Sequence, residues 1–330
     1  MDLKKVSVII PILNEERYIK GCLDSLMEQD YPKEFLEIIL VDGLSDDKTL
    51  DIIKDYIKKY PFIKLYVNSH RTVQYAMNIG ISNATGEYIV RMDAHAWYAN
   101  DYISMCVKYL QKTKAQNVGG TTVVRGKNKM QKVIAAAYHS PFALGGSKHY
   151  NEGFEGYADT VAWGAFERRY LIELGMYDER LPRSEDDDLN FRIEKAGGKI
   201  FITPKIKSIY YPKENLSKLF KQYFDYGTWK VAVIKKHHRP SRIVHLIPML
   251  FVLFIILFGA LSFCSSLIAD IFFGVMSIYF MLDIYFSFNN KYAKKFSDKI
   301  LLTITHFVIH ISYGLGFWKG IFKFMNSKWD

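Results

Sequence analysis

Three long apolar segments in the last third of the chain restrict its possible folds more than any other feature. Residues 243–264, 267–288 and 300–318 consist mainly of Ile, Leu, Phe and Val. A membrane-spanning helix needs about 20 mostly apolar residues, and in lipid a helix satisfies its own backbone hydrogen bonds. We therefore expect residues 241–330 to form a membrane region in which the first two segments span the bilayer. The third segment contains two histidines and two glycines, which leaves a span, a re-entrant segment and an interfacial helix open.

The charge distribution predicts which side of the membrane the rest of the chain occupies. The formal net charge is +10, which suits a nucleic acid, an anionic membrane surface or an anionic substrate. Basic residues concentrate at 230–242 and 291–299, on both sides of the first two apolar segments, whereas the turn at Ser265-Ser266 carries none. Lys and Arg gather at the cytoplasmic ends of membrane helices. A hairpin that enters the membrane from the cytoplasm therefore explains the charge, and no nucleic acid partner is expected.

Residues 1–240 read as a soluble domain in which strand and helix patterns alternate. Met1–Lys5 leads into an apolar run without the features of a cleavable signal peptide, so we expect this domain to stay in the cytoplasm. The predicted strands are Val6–Ile10, Glu37–Val41, Lys64–Val67, Tyr88–Met92, Asn117–Val124 and Lys199–Thr203. The predicted helices lie near Glu15–Gln29, Asp46–Lys59, Gln74–Ser82, Glu167–Leu174 and Asp186–Lys195. This alternation predicts an α/β fold with an open, mostly parallel sheet.

Polar loops follow three of the predicted strands directly. They are Pro11–Glu16, Asp42–Asp47 and Asp93–His95. Because open α/β sheets bind ligands beyond the carboxyl ends of their strands, we expect the binding site to be built from these loops. Asp42 and Asp93 stand closest to their strand ends and are the better ligand candidates, whereas the later aspartates of the second loop could equally cap the next helix.

The third of these loops has the residue types of a divalent cation site. Asp93 offers carboxylate oxygen and His95 offers imidazole. Mg²⁺ prefers carboxylate together with phosphate oxygens, and Mn²⁺ tolerates imidazole better. An ordinary loop histidine explains His95 nearly as well as metal ligation does. Asp42 and Glu15, after the other two strands, suit hydrogen bonds to a nucleobase or a ribose.

A run of four acids, Glu185–Asp188, opens one of the predicted helices. The helix dipole favours acids at this end, which accounts for one or two of them. Mutual repulsion raises the pKa of at least one member, and such a carboxylate can accept a proton near neutral pH. The run therefore predicts a general base, and on charge alone each member is a candidate.

Several ordered motifs give the chain a family resemblance. They are Val6–Pro11 with Asn14-Glu15, Ile39–Thr49, Arg91–His95, Asp159–Phe166 and Ser184–Arg192. Together they resemble the family 2 inverting glycosyltransferases, which have a Rossmann-like GT-A fold. The resemblance implies a nucleotide-sugar donor contacted by Pro11, Asn14, Glu15, Asp42 and Asp93. It also implies a metal ion on Asp93 and His95, Asp186 as the catalytic base, and Trp163, Gly164 and Glu185 beside the acceptor. His95 stands where the family usually has a second acid.

Later motifs narrow the resemblance to one subgroup. Gln222–Lys230 and His310–Phe317 look like segments of bacterial enzymes similar to succinoglycan-biosynthesis glycosyltransferases. This resemblance implies transfer of a single sugar, expected from a UDP-sugar, to a hydroxyl of a polyprenyl-diphosphate-linked glycan at the bacterial cell membrane, in the synthesis of a cell-surface polysaccharide. Gln222 is followed by Tyr-Phe-Asp instead of the Gln-x-x-Arg-Trp of processive synthases. A polyprenyl-phosphate sugar synthase and an inactive membrane scaffold of the same fold remain the alternatives.

Overall fold

The structure, a computed structural model, describes residues 2–329 and divides into two compact units. The first unit combines Met1–Val123 with Lys148–Tyr210, and the second combines Val124–Ser147 with Tyr211–Asp330. The second unit thus begins well before residue 240, where the membrane region was expected to start. It also takes in an internal segment that sequence patterns alone did not connect with the C-terminal region.

Within residues 2–329, nine strands form one sheet. They are β1 (Val6–Ile12), β2 (Leu36–Asp42), β3 (Ile63–Val67), β4 (Tyr88–Arg91), β5 (Ala96–Tyr98), β6 (Asn117–Val124), β7 (Gly156–Tyr157), β8 (Ala165–Glu167) and β9 (Ile200–Tyr210). The order is β3-β2-β1-β4-β8-β6-β9-β5, and β7 pairs with β9. Strands β3, β2, β1 and β4 run parallel, as predicted. Beyond β4 the pairs β4–β8, β6–β8, β5–β9 and β7–β9 are antiparallel, so the α/β sheet is mixed.

Twelve α-helices occur in the same described range. They are α1 (Ile19–Met27), α2 (Thr49–Lys59), α3 (Val73–Asn83), α4 (Tyr102–Thr113), α5 (Lys129–Tyr138), α6 (Pro141–Leu144), α7 (Arg168–Glu173), α8 (Glu185–Lys195), α9 (Leu216–His237), α10 (Ile247–Leu261), α11 (Ser266–Phe288) and α12 (Phe296–Phe324). The helices predicted in the first unit are present. Helix α4 and strands β5, β7 and β8 were not predicted.

The first unit has hydrophobic cores on both faces of its sheet, and β1 shows why. Val8 and Ile10 point into the cluster that includes the apolar residues of α1 and α4, whereas Ile9 belongs to the cluster with α3 and α8. A strand covered on both faces is apolar at nearly every position, and in β1 the exception is the buried Ser7. This is why the run that ends at Ile12 shows no alternation of apolar and polar residues.

In the second unit α9 and α12 pack against each other at very short range. A Cβ added at Gly316 would lie 2.0 Å from the Phe224 carbonyl oxygen, a distance that no side chain tolerates. The Thr228 hydroxyl donates to the Gly316 carbonyl oxygen at 3.0 Å. Small residues let membrane helices approach closely and bond to one another. The two late motifs of the sequence, one on each helix, are therefore the two sides of one helix–helix contact.

Three helices of the second unit are long and apolar enough to cross a membrane. They are Ile243–Leu261, Ser266–Phe288 and Phe296–Phe324, which agrees with the two predicted spans and makes the third segment a longer helix than 300–318. Asp283 and His306 lie in the second and third helix and are fully buried. Their Oδ1 and Nδ1 atoms are 2.6 Å apart, so the polar residues of these apolar segments pair with each other.

Candidate active site

The loops after β1 and β2 are held together by side-chain hydrogen bonds. The Asn14 amide donates to Asp46 Oδ1 at 2.7 Å, and its carbonyl oxygen accepts from the Asp46 N–H at 2.9 Å. The Glu15 N–H donates to Thr49 Oγ1 at 2.8 Å. Asn14 has a left-handed backbone with φ 56°, a conformation that Asn adopts more readily than most residues. The two predicted ligand-binding loops therefore form one edge, and the Asn14 side chain shapes it.

Asp42 is buried at the end of β2 and shapes its own loop. Its Oδ1 accepts from the Ser45 hydroxyl at 2.6 Å, and its Oδ2 accepts from the Ser45 N–H at 3.0 Å. Pro11, on the neighbouring strand β1, pairs in register with Val41. Asp42 pairs with Ile12, so Asp42 and Pro11 lie one register position apart at the carboxyl edge of the parallel strands. Their contacts with a nucleotide remain a prediction.

Asp93 follows β4 and lies among hydrogen-bond donors. Its carboxylate contacts the Arg91 Nε at 3.3 Å, accepts from the Trp163 side chain, and its backbone N–H donates to the Tyr98 hydroxyl at 2.6 Å. Burial raises the pKa of Asp93, but the charges of Arg91 and His95 outweigh it and hold the pKa below its ordinary value. Asp93 is therefore an anion at neutral pH, as a cation ligand must be.

Trp163 and Gly164 form the wall beside Asp93. Trp163 has φ 51° and is buried, and its carbonyl oxygen accepts from the Tyr102 hydroxyl at 3.1 Å. The Gly164 carbonyl oxygen accepts from the Arg91 N–H at 3.1 Å. A Cβ at Gly164 would lie 2.2 Å from Asn117 Oδ1, so only glycine fits there. Trp163 thus lines the site, whereas the absence of a side chain at Gly164 allows close packing against Asn117. The proximity of both residues to an acceptor stays a prediction.

His95 pairs with Glu15 across the edge of the site. The His95 Nδ1 and Glu15 Oε1 atoms are 3.0 Å apart. Histidines that bind metals commonly hydrogen-bond a carboxylate through the other ring nitrogen, which orients the ring. Within residues 2–329 no group of three or more His, Cys, Asp or Glu side chains is arranged to hold a metal ion. A metal ion on Asp93 and His95 stays a prediction, and it would need phosphate oxygens and water to complete its coordination.

The four acids that begin α8 have different surroundings. Asp186 Oδ1 lies 2.7 Å and Glu185 Oε1 lies 3.2 Å from the Arg91 Nη1. The Asp186 side chain is 34% exposed and that of Glu185 is 12% exposed. Asp188 is fully buried against the Arg192 Nε at 2.9 Å. Asp188 is therefore occupied by a structural ion pair, and Asp186 is the more accessible of the two acids at Arg91.

Asp186 has the electrostatics of a proton acceptor. Burial raises the pKa of Asp186 to about 7, and the negative charges of Glu185, Asp93 and Asp187 act in the same direction, whereas Arg91 lowers it. A general base works best when its pKa is near the operating pH. The arrangement therefore suits Asp186 to remove a proton from a bound hydroxyl.

Arg91 is the site residue whose role sequence reasoning missed. The sequence contained the signal, because a charged residue interrupts the otherwise apolar run Tyr88–Met92. A buried arginine needs carboxylate partners, and the structure provides Asp93 together with the first two acids of α8.

Comparison with known proteins decides the family. Residues 7–175 match the family model described as Glycosyl transferase family 2. The chain belongs to this family. It is a glycosyltransferase with the GT-A fold, as its sequence motifs predicted.

Two relatives are similar over nearly the whole chain. One is the dolichyl N-acetyl-alpha-D-glucosaminyl phosphate 3-beta-D-2,3-diacetamido-2,3-dideoxy-beta-D-glucuronosyltransferase of Methanococcus voltae, 33% identical over 328 residues, covering 96% of this chain and 97% of the relative. The other is the succinoglycan biosynthesis protein ExoA of Rhizobium meliloti (strain 1021), 28% identical, covering 96% of this chain and 95% of the relative.

A solved structure shares the fold. The mannosyltransferase PcManGT from Pyrobaculum calidifontis, in complex with GDP-Man and Mn²⁺, superposes with a TM-score of 0.63 and 20% sequence identity. The match covers 94% of this chain and 88% of PcManGT, so it extends beyond the sheet into the C-terminal helices.

Proposed function

We propose that this family 2 glycosyltransferase transfers a single sugar from a nucleotide sugar to a hydroxyl group of a lipid-linked glycan. The observation that carries the proposal is the juxtaposition of Asp186 and Asp93 on either side of Arg91. One carboxylate is suited to accept a proton and the other is held as an anion. A reaction that joins an acceptor hydroxyl to a sugar and releases a diphosphate needs both properties.

The donor lies, in this proposal, along the edge formed by the loops after β1, β2 and β4. Pro11, Asn14, Glu15 and Asp42 surround the nucleotide, the last two through their carboxylates. Asp93 and His95 would hold Mg²⁺ or Mn²⁺, which supplies positive charge to the leaving diphosphate when bound. Glu15 orients the His95 ring through its contact with Nδ1. The donor set of one carboxylate and one imidazole suits either ion.

The transfer step then depends on Asp186. Its carboxylate removes the proton from the acceptor hydroxyl while the acceptor oxygen forms a bond to the anomeric carbon. The bond between that carbon and the diphosphate oxygen breaks, and the nucleoside diphosphate departs with the electron pair. One displacement from the opposite face inverts the anomeric centre. Glu185 and Trp163 lie next to Asp186 and Asp93 respectively and border the acceptor position.

The nature of the acceptor is supported by the membrane helices and by the relatives. The Methanococcus voltae relative is named for a dolichyl N-acetyl-alpha-D-glucosaminyl phosphate, and the Rhizobium meliloti relative for succinoglycan biosynthesis. Within residues 2–329, three helices are long and apolar enough to span a membrane. A lipid-linked glycan acceptor agrees with both observations, although the first relative is named for a single phosphate and the acceptor proposed here carries a diphosphate.

The proposed location is an integral membrane protein whose catalytic unit faces the cytoplasm. Basic residues at 230–242 and 291–299 flank the first two apolar helices, in agreement with the distribution found on cytoplasmic sides. Nucleotide sugars, the proposed donors, would reach the site from that side. A bacterial membrane stays a prediction.

A transfer assay with the purified full-length protein in detergent tests this function. The protein is mixed with radiolabelled UDP-sugars, Mn²⁺ or Mg²⁺, and a polyprenyl diphosphate that carries a sugar. We expect a labelled lipid product that forms only with a divalent cation and whose new bond survives mild acid as a glycoside. A label released by mild acid as free sugar from a bare polyprenyl phosphate acceptor would instead identify a polyprenyl-phosphate sugar synthase. No product with any nucleotide sugar would favour an inactive scaffold.

A further inference from the structure

One buried arginine joins the two halves of the site. The Arg91 side chain is 6% exposed and contacts three carboxylates. Its Nε lies 3.3 Å from Asp93, and its Nη1 lies 2.7 Å from Asp186 and 3.2 Å from Glu185. We propose that Arg91 is a positioning residue that holds Asp186 in its ionised form and in register with Asp93. This inference rests on the proposed role of Asp186 as the base.

The first argument is the balance of charge around Asp186. The charged and titratable groups of the protein that act most on it are Arg91 from β4, Asp93 from the following loop, Glu185 and Asp187 from α8, and Tyr177 from the segment before α8. Of these, Arg91 alone carries a positive charge. Burial and three neighbouring carboxylates all favour the protonated form of Asp186, which cannot accept a proton. Arg91 is therefore the group that keeps the base usable near neutral pH.

The second argument is geometry. A guanidinium is planar and presents several N–H groups in a fixed arrangement, whereas an ammonium is a single point of charge. In Arg91 the Nε faces Asp93 while Nη1 faces the start of α8, so one rigid group sets the separation of the two carboxylates. The backbone that carries this group is held as well, since the Arg91 N–H donates to the Gly164 carbonyl oxygen. A lysine at this position would keep the positive charge but lose the rigid connection between Asp93 and Asp186.

The test separates charge from geometry by measuring kcat/KM for the acceptor against pH. In Arg91→Gln the loss of a cation near the base raises its pKa, so the acidic limb of the profile moves up by about 1–3 pH units. Activity recovers toward the wild-type value above the shifted limb, which a purely structural defect would not produce. In Arg91→Lys we expect the limb to move less than that of Arg91→Gln, while kcat falls about tenfold or more because the bridge is lost. Arg169→Gln, which removes an arginine paired only with Glu173 on the surface, should leave the profile unchanged.

Each outcome supports or overturns the proposal. An Arg91→Gln limb at the wild-type pH overturns it, whatever the loss of kcat. If size-exclusion chromatography shows that Arg91→Gln does not fold, the test rests on Arg91→Lys. A wild-type kcat in Arg91→Lys overturns the proposal that Arg91 holds Asp93 and Asp186 together. Asp186→Asn distinguishes this failure from a failure of the proposed function. Wild-type transfer by Asp186→Asn refutes Asp186 as the base, whereas an inactive Asp186→Asn combined with an unmoved Arg91→Gln limb refutes the role of Arg91 alone.

Discussion

The dependence of the reaction on pH follows from the surroundings of Asp186. An ordinary aspartate has a pKa of about 3.9, whereas burial together with the neighbouring acids raises the pKa of Asp186 to about 7. Because a base must be deprotonated to act, kcat/KM should be low on the acidic side and rise with pH until the carboxylate is ionised. For a single group with a pKa of about 7, the ionised fraction at pH 5 is about one hundredth. The value of kcat/KM should therefore fall about 100-fold when the pH is lowered from 7.5 to 5.

The measurement is kcat/KM for the lipid-linked acceptor from pH 5 to pH 9, at a fixed saturating concentration of the divalent cation. Binding of the nucleoside diphosphate is measured over the same range by calorimetry, so that loss of donor affinity is not mistaken for loss of the base. A limb with its midpoint between about pH 6 and pH 8 agrees with the environment of Asp186. A profile that is flat down to pH 5, with donor binding intact, would refute the argument, because an unperturbed carboxylate is already ionised there.

Two further predictions concern the metal and the helix contact. In Glu15→Gln the His95 ring loses its carboxylate partner, so the affinity for Mn²⁺, followed by electron paramagnetic resonance with nucleoside diphosphate present, should fall about 10- to 100-fold. In Gly316→Ala the new Cβ would lie 2.0 Å from the Phe224 carbonyl oxygen, so α12 must move away from α9. We expect a loss of about 1–3 kcal/mol, measured by denaturation of the detergent-solubilised protein.

Matched variants make both predictions decisive. Glu16→Gln removes a neighbouring carboxylate that accepts from the Lys48 backbone N–H, and its Mn²⁺ affinity should equal that of the wild type. Equal affinities for Glu15→Gln and Glu16→Gln would contradict the role of Glu15. Gly274 lies in α11 with no atom within 4 Å of an added Cβ, so Gly274→Ala should be neutral or slightly stabilising. Equal stabilities of the two alanine variants would contradict the close contact.

The parallel half of the fold was predictable because its signals are local. Each of β1 to β4 is a short apolar run followed by a polar loop, and helical patterns separate them. In the antiparallel half, β6 and the start of β9 were predicted as strands, but β5 and β8 were not, since they have only three residues each and their pairing depends on partners distant in sequence. For the same reason the sequence does not show that residues 124–147 belong to the second unit, because this grouping arises from tertiary packing.

The site shows the same division between local and distant information. Asp93 was a candidate because of its position at a strand end, and Asp186 was singled out only by the family resemblance. The sequence does not show which acid of α8 is suited to act as the base, because this depends on Arg91, about 95 residues away in the chain. Asp188 is fully buried and pairs with Arg192, one turn along the same helix, whereas Asp186 is partly exposed and pairs with Arg91. By charge alone these acids are equivalent candidates for the base, and they are distinguished by their different neighbours.

The most direct test of the account compares Asp186→Asn with Asp187→Asn in sugar transfer by the full-length protein. The two substitutions remove one negative charge each from the same turn of α8. We predict that Asp186→Asn lowers kcat by about 10²- to 10⁴-fold, the contribution of a positioned base, with little change in donor binding. Asp187→Asn should retain at least about a tenth of the wild-type rate. Equal losses in the two variants, or a wild-type rate for Asp186→Asn, would contradict the assignment of Asp186 as the base.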